Sequence, residues 1–179
     1  MDPIHYLARE AEHAQYLHHE NDPQDPCYRA FLSKLADPLL ARLPPGSEGL
    51  DFGCGPGPAL AAMLREAGHS VALYDPFFAK NPAVLDGQYD FITCTEVAEH
   101  LHTPARVFRR LRRILRPGGC LAVMTAFLTD EARFTSWHYR KDPTHVVLYR
   151  AETFEKLAAQ LAMTCEFPCK DVVLLNVSD

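Results

Sequence analysis

The chain has no paired CxxC spacing, no apolar run that approaches a membrane span, no excess of basic residues, no internal repeat and no low-complexity tract. Its six cysteines, Cys27, Cys54, Cys94, Cys120, Cys165 and Cys169, form no ligand-like or redox-like pair. Three of them lie in or beside apolar runs and read as reduced packing thiols. A net charge of −5, from 18 basic and 23 acidic residues, argues against a general nucleic-acid binder. Acidic and histidine residues run through the N-terminus where a signal peptide would need an apolar stretch, so the expectation is a soluble cytoplasmic protein. At 179 residues one domain can bury a sufficient core without crosslinks.

What is present changes character near residue 48. Ile4, Leu7, Ala11, Ala14 and Leu17 recur at helical spacing, "NDPQDP" (21–26) breaks the run, and Tyr28, Phe31, Leu32, Leu35, Leu39 and Leu43 make a second amphipathic helix ended by "LPPGSEG". From residue 50 short apolar runs alternate with helical periods: "GLDF", 58–67, "SVALYD", "YDFITC", 104–115, "CLAVMTA", 151–161. That order predicts an α/β domain with a mostly parallel sheet. The tail "MTCEFPCKDVVLLNV" predicts two strands around a Pro-Cys-Lys-Asp turn, an antiparallel hairpin at one edge. The division expected is a helical N-terminal extension, 1–47, covering a site in the domain 48–179.

"LDFGCGPGPAL" (50–60) is a strand, a glycine turn and a helix start, with Pro58 at a favoured first-turn position. Bare glycines allow close approach of a ligand, and the helix N-terminus offers free N–H groups. About twenty residues on, Asp75 ends the next strand, placed to accept both hydroxyls of a ribose. The dinucleotide spacing GxGxxG fails, because the third glycine falls on Pro58 or on Leu60 according to register. Asp51-x-Gly53-x-Gly55-x-Gly57 resembles instead motif I of the class I S-adenosylmethionine-dependent methyltransferases. From "YDFITC" through "LRPGGCLAVMTA" the chain resembles the later strands of that fold, and it is most similar to the ubiquinone O-methyltransferase-like group of bacterial enzymes.

The resemblance implies a Rossmann-like sheet in the order 3-2-1-4-5-7-6 and S-adenosyl-L-methionine as cofactor. It puts the donor on Asp51, Gly53, Cys54, Gly55, Gly57, Asp75, Pro76, Phe77, Thr95 and Glu96. One departure is visible: "PFFAKNPAVLDGQ" is too short for the usual helix, third strand and adenine-contacting acid. The third strand is expected to be degraded, with adenine stacked on Phe77 or Phe78.

"TEVAEH" carries Glu96, Glu99 and His100 at i, i+3 and i+4, one face of a helical turn. In related methyltransferases such segments bind a divalent metal, with a further histidine after the fifth strand, here His145. A cation would lower the pKa of an acceptor hydroxyl and fix it in line with the methyl group. The competing reading has Glu96 acting through its backbone while Glu99 and His100 begin a solvated helix. Residues 127–150 are long enough for a functional loop, and Phe134, Trp137, His138, Tyr139, Asp142, His145 and Tyr149 suit an acceptor pocket. Without a metal, His138 or His145 is the candidate general base. His18, His19 and Tyr28 are candidates to reach the pocket from the N-terminal side.

The expected activity is methyl transfer to an O or N nucleophile of a small-molecule acceptor. The arginines of 104–115 read as a solvated face, and RNA is the less favoured partner. A catalytically silent nucleoside-binding module, an RNA-end 2′-O-methyltransferase and a small nucleotide-dependent oxidoreductase stand as alternatives. The acceptor and the oligomeric state are not readable from the letters.

Overall fold

The computed structural model describes residues 1–18 and 21–178. Eleven longer elements follow the sequence: α1 (Arg9–Tyr16), α2 (Pro26–Leu40), β1 (Glu48–Phe52), α3 (Ala59–Glu66), β2 (Ser70–Tyr74), β3 (Tyr89–Thr95), α4 (Pro104–Arg113), β4 (Leu115–Met124), α5 (Ala151–Gln160), β5 (Met163–Cys169) and β6 (Val172–Val177). They build one six-stranded sheet in the order β2-β1-β3-β4-β6-β5. The first four strands pair in parallel, and β6 runs antiparallel to both β4 and β5. Among the described residues no helix is long and apolar enough to cross a membrane.

The central strands are apolar on both faces, so their alternation divides two cores. On β4, Leu121 and Val123 face α4 and α5, packing with Phe108, Leu111 and Phe154, while Cys120, Ala122 and Met124 face α2 and α3. On β6, Val173 and Leu175 join the first core, Val172 and Leu174 the second. This double burial is why the strands read as continuous hydrophobic runs. Helix α2 is part of the second core, not a loose extension, since Leu32, Leu35, Ala36 and Leu39 are all buried there. Asp25 caps it through the Cys27 N–H, and Pro26 takes the first-turn position. Pro38, inside α2, cannot donate to the Lys34 carbonyl, and the Cys169 thiol donates to that oxygen instead, tying the terminal hairpin to the helix.

Three details differ from the letters, while the third-strand region is reduced as expected. Residues 4–19 do not form one helix: a short 3₁₀ turn (Pro3–His5) precedes α1, Ile4 is 80% exposed, and α1 has no buried residue. Where a third strand would lie there is only a 3₁₀ turn, Pro82–Asp86, after a tight loop closed by reciprocal backbone bonds between Asp75 and Ala79. The sheet therefore has six strands and β2 is its edge. "LRPGG" is an in-strand bulge, because Leu115 pairs with Tyr89 while Cys120 pairs with Phe91. The hairpin turn is Lys170-Asp171 alone, with Asp171 at φ 66°.

At the end of the sheet away from the loops, Arg116 pairs with Asp90 at 2.9 Å and with Glu48, and Asp90 Oδ2 accepts the Glu48 N–H. This clamp joins the starts of β1, β3 and β4. The opposite end, where β1 is flanked by β2 and β3 and the strand order reverses, opens a crevice at the carboxyl ends of the strands.

Candidate active site

The crevice holds a cavity of about 480 Å³, within the range of small-molecule sites. Asp51, Gly53, Cys54, Gly55, Gly57, Asp75, Pro76, Phe77, Thr95 and Glu96 all line it. The loop after β1 supplies its floor. Gly53 has φ 80° and donates to the Tyr74 carbonyl at 2.7 Å, and a Cβ there would stand 2.3 Å from Val97. A Cβ on Gly57 would lie 1.8 Å from the carbonyl oxygen of Asn21. The bareness of the loop is thus used partly by the chain itself, which lays its N-terminal segment on the glycines.

Asp51 is buried and accepts the Thr93 hydroxyl at 2.7 Å; burial pushes its carboxyl up to about 6 against that bond. Burial likewise pushes the Cys54 thiol up to about 12, which makes it a packing group and no nucleophile. Asp75 Oδ1 accepts the N–H groups of Phe77 (2.7 Å) and Phe78 (3.0 Å), and Oδ2 accepts that of Gly55 (3.1 Å). A carboxylate offers about four acceptor positions, so Asp75 braces the two loops and retains room for one further hydroxyl, short of the two expected.

The roof comes from the N-terminal residues. Glu12, Tyr16, Asn21, Tyr28 and Phe31 line the cavity. His13 stacks on Phe77 with centroids 5.2 Å apart and planes 6° from parallel, and Arg9 lies over the same ring while donating to the Pro76 carbonyl at 2.9 Å. Tyr28 reaches the cavity as expected; His18 is exposed and outside it, and His19 lies outside the described residues. Glu12, Tyr16 and Asn21 were not legible: the periodic apolar positions of this stretch are other residues, and Asn21 lies beyond α1.

Residues 127–150 do not wall this cavity. Phe134 and His138 are exposed, and Trp137 lines a separate space of about 120 Å³. His138 is therefore away from this cavity, on a 3₁₀ turn, His138–Lys141. What the segment supplies is a brace behind His100. The N–H groups of Val146 and Val147 donate to the Glu99 carbonyl at 2.9 and 3.1 Å, and the Tyr149 hydroxyl donates to that of Ala98.

That brace brings Glu99, His100 and His145 together, with one ligand atom from each lying within 4.8 Å of the others. His100 Nδ1 is 3.1 Å from the Thr144 carbonyl and His145 Nδ1 is 2.7 Å from that of Tyr139. A carbonyl only accepts, so each Nδ1 carries the proton and each Nε2 keeps its lone pair. Glu99 is 0% exposed; Thr125 donates to its Oε2 at 2.8 Å, while Oε1 has no hydrogen-bond partner and lies 3.8 Å from His100 Nε2. Burial raises the Glu99 carboxyl above its ordinary range, and burial followed by the neighbouring His100 lowers His145. Two imidazole nitrogens and an orphaned carboxylate oxygen, with second-layer bonds fixing both tautomers, form a donor set that suits a divalent cation.

Glu96 is not in this group. Only Ala98–His100 form a 3₁₀ turn, and Glu96 sits before it at φ 52°, so the helical face expected to align Glu96 with Glu99 and His100 does not exist. Burial, then Glu99 and Asp171, push the Glu96 carboxyl up to about 8.

The mixed sheet, with its glycine turn and acid at the switch point and its antiparallel terminal hairpin, matches the architecture of class I methyltransferases. The family model of the methyltransferase domain matches residues 16–162, and the chain belongs to that family. It is similar to the ubiquinone biosynthesis O-methyltransferases of Sodalis glossinidius (32% identical over 71 residues, 40% of this chain and 28% of that protein) and Pseudomonas aeruginosa (31% over 103 residues, 45% and 44%). The chain thus spans less than half the length of these curated relatives. Among solved structures, the 1,6-didemethyltoxoflavin-N1-methyltransferase of Burkholderia thailandensis, with 1,6-didemethyltoxoflavin and S-adenosylhomocysteine bound, superposes with a TM-score of 0.64 at 16% identity over 97% of this chain and 92% of that one. An O-methyltransferase family protein from the same organism gives 0.64 at 12% identity, covering 86% and 57%.

Proposed function

We propose that the chain transfers a methyl group from S-adenosylmethionine to an oxygen or nitrogen of a small-molecule acceptor, and that Glu99, His100 and His145 hold a divalent cation beside the acceptor. The reading of the donor rests on one observation: ten residues expected to hold it, drawn from three strand ends, line one cavity of ligand size. The donor's methionine end lies at Gly53–Gly57, Asp75 Oδ2 takes a ribose hydroxyl, and Phe77 and Phe78 flank the adenine. Transfer forms the acceptor's bond to the methyl carbon as the carbon–sulfur bond breaks, leaving its electron pair on sulfur. The positive charge of the sulfonium disappears, so the protein's part is alignment of the two reactants.

The buried, unpartnered Oε1 of Glu99 supports the cation. When bound, such an ion lowers the pKa of an acceptor hydroxyl and orients its oxygen. His100 lines the cavity and links it to the cluster, and His145, held below its ordinary pKa, keeps Nε2 free at neutral pH.

Titration with S-adenosylhomocysteine tests the donor site, and donor turnover against a panel of phenols, catechols, amines and short RNAs tests the activity. Absence of binding would sink the whole assignment. Binding with no turnover across the panel would favour a silent nucleoside-binding module. Full turnover in metal-stripped protein with excess chelator would remove the cation and leave His145 as the base.

A further inference from the structure

We infer that the cation site is completed by Asp142, and that Glu96, the first acid of "TEVAEH", belongs to the donor cavity alone. The inference rests on the proposed cation at Glu99, His100 and His145 and concerns which carboxylate joins it.

The Asp142-Pro143-Thr144-His145 segment is a closed turn. The His145 N–H donates to the Asp142 carbonyl at 3.1 Å, which puts residues i and i+3 on one side. Asp142 Oδ1 is consumed by Thr144, accepting its N–H at 2.9 Å and its hydroxyl at 2.5 Å. The other oxygen, Oδ2, points at His145 Nε2 from 3.8 Å, and that nitrogen holds the lone pair because Nδ1 is bound to the Tyr139 carbonyl. The side chain is 22% exposed, so its anchoring costs little further desolvation.

Three donor atoms are then set in the same way, each by a bond to its far side: Asp142 through Oδ1, His100 and His145 through Nδ1. Glu99 is held likewise through Oε2. Cation–ligand bonds of about 2.0–2.2 Å put neighbouring donors roughly 3–3.5 Å apart, so the 3.8 Å separations of Asp142 from His145 and of Glu99 from His100 need to close by only a few tenths of an ångström, while Asp142, outside the set whose ligand atoms lie within 4.8 Å of one another, must also swing its free oxygen toward Glu99 and His100. With both imidazoles neutral, the two carboxylates carry a charge of −2, which a divalent ion cancels.

Glu96 offers none of this. Its left-handed backbone takes it off the turn that carries Glu99 and His100, it lines the donor cavity, and its charged neighbours are Glu99, Asp171 and Lys34 with no imidazole among them. A carboxylate on the cavity wall beside the glycine loop suits the ammonium of the donor's methionine end.

Mn²⁺ titrated calorimetrically into metal-stripped protein separates the possibilities. Wild type should bind one ion. Asp142→Asn, which keeps the Oδ1 acceptor for Thr144, should weaken Mn²⁺ at least about tenfold. Glu96→Gln should leave Mn²⁺ within threefold and weaken S-adenosylhomocysteine. The reverse pattern, or equal weakening by both, overturns the assignment. No binding by wild type would instead remove the cation itself. As a guard against misfolding, Asp142→Glu keeps a carboxylate: the visible spectrum of its Co²⁺ form should differ from wild type, and an unchanged spectrum also overturns the assignment.

Discussion

Gly57→Ala puts a methyl group where a Cβ would lie 1.8 Å from the Asn21 carbonyl oxygen, a backbone atom that no rotamer change can remove. Ordinary contact begins near 3.4 Å, so loop and N-terminal segment must part by about 1.6 Å. The loop is the stiffer partner. Gly53 is bonded to Tyr74 at 2.7 Å and Gly55 to Asp75 at 3.1 Å, whereas α1 has no buried residue. The N-terminal segment should therefore lift, and the loss is limited to what its docking contributes, about 1–2 kcal/mol from a few half-buried rings and hydrogen bonds. For a chain of this size that lowers Tm by roughly 2–8 °C. Hydrogen exchange followed by mass spectrometry should show peptides within 1–25 exchanging faster by about one order of magnitude while β1 and β2 peptides keep their protection. S-adenosylhomocysteine affinity should fall with it, since Glu12, Tyr16 and Asn21 line the cavity. Unchanged exchange in 1–25 together with loss of protection in β1 would refute the reasoning, by identifying the loop as the part that yields.

His145 is held below its ordinary pKa by burial and by His100, so the unfolded chain takes up a proton first as pH falls below about 6.5. Stability should decline from there down to the lower folded pKa and then level off, and His145→Gln should flatten that slope in melts from pH 5 to 7.5. Against the burial that raises it, the Glu48 N–H and Arg116 hold Asp90 below the usual carboxylate range; Arg116→Met should lower the melting temperature slightly at neutral pH, a loss that shrinks as pH falls through the Asp90 titration. Leu35→Ala, at a position 0% exposed in the second core, should cost about 2–5 kcal/mol in urea unfolding without moving the S-adenosylhomocysteine stoichiometry.

The α/β order, the antiparallel hairpin and the missing third strand were all legible, because each leaves a local mark: alternating apolar runs, a Pro-Cys-Lys-Asp break and too few residues between Asp75 and Tyr89. That the ten residues expected at the donor line one cavity has the same cause, since they follow directly on strand ends. Of the N-terminal roof, a covering role for residues 1–47 was expected, but the side chains that supply it, Tyr28 aside, were not legible. Nothing in α1 is fully buried, and the apolar positions that recur at helical spacing there are not the residues, Arg9, His13 and Tyr16, that contact Phe77; the glycine loop is met by Asn21, beyond the helix. "TEVAEH" misled through its spacing: i, i+3, i+4 predicts a shared face only if the helix is continuous, and Glu96 at φ 52° breaks it. The loop 127–150 misled through composition, because aromatic and histidine residues that suit a pocket here pack behind His100 and hold it in place.

The shortened third-strand region and the N-terminal roof meet at the same residues. With no third strand, β2 is an edge, and the loop after it is held only by the Asp75–Ala79 closure and the 3₁₀ turn beyond. Phe77, on that loop, is packed from above by His13, Arg9 and the edge of Tyr16. The N-terminal segment thus occupies the side of the cavity that a longer insertion would otherwise cover. It also sits on Gly57, at the far end of the same cavity. A ligand in the cavity touches both the N-terminal residues and the loops they sit on, so ligand binding and docking of residues 1–25 should be energetically coupled. S-adenosylhomocysteine should then protect that segment from exchange, and Phe77→Ala should reduce the protection.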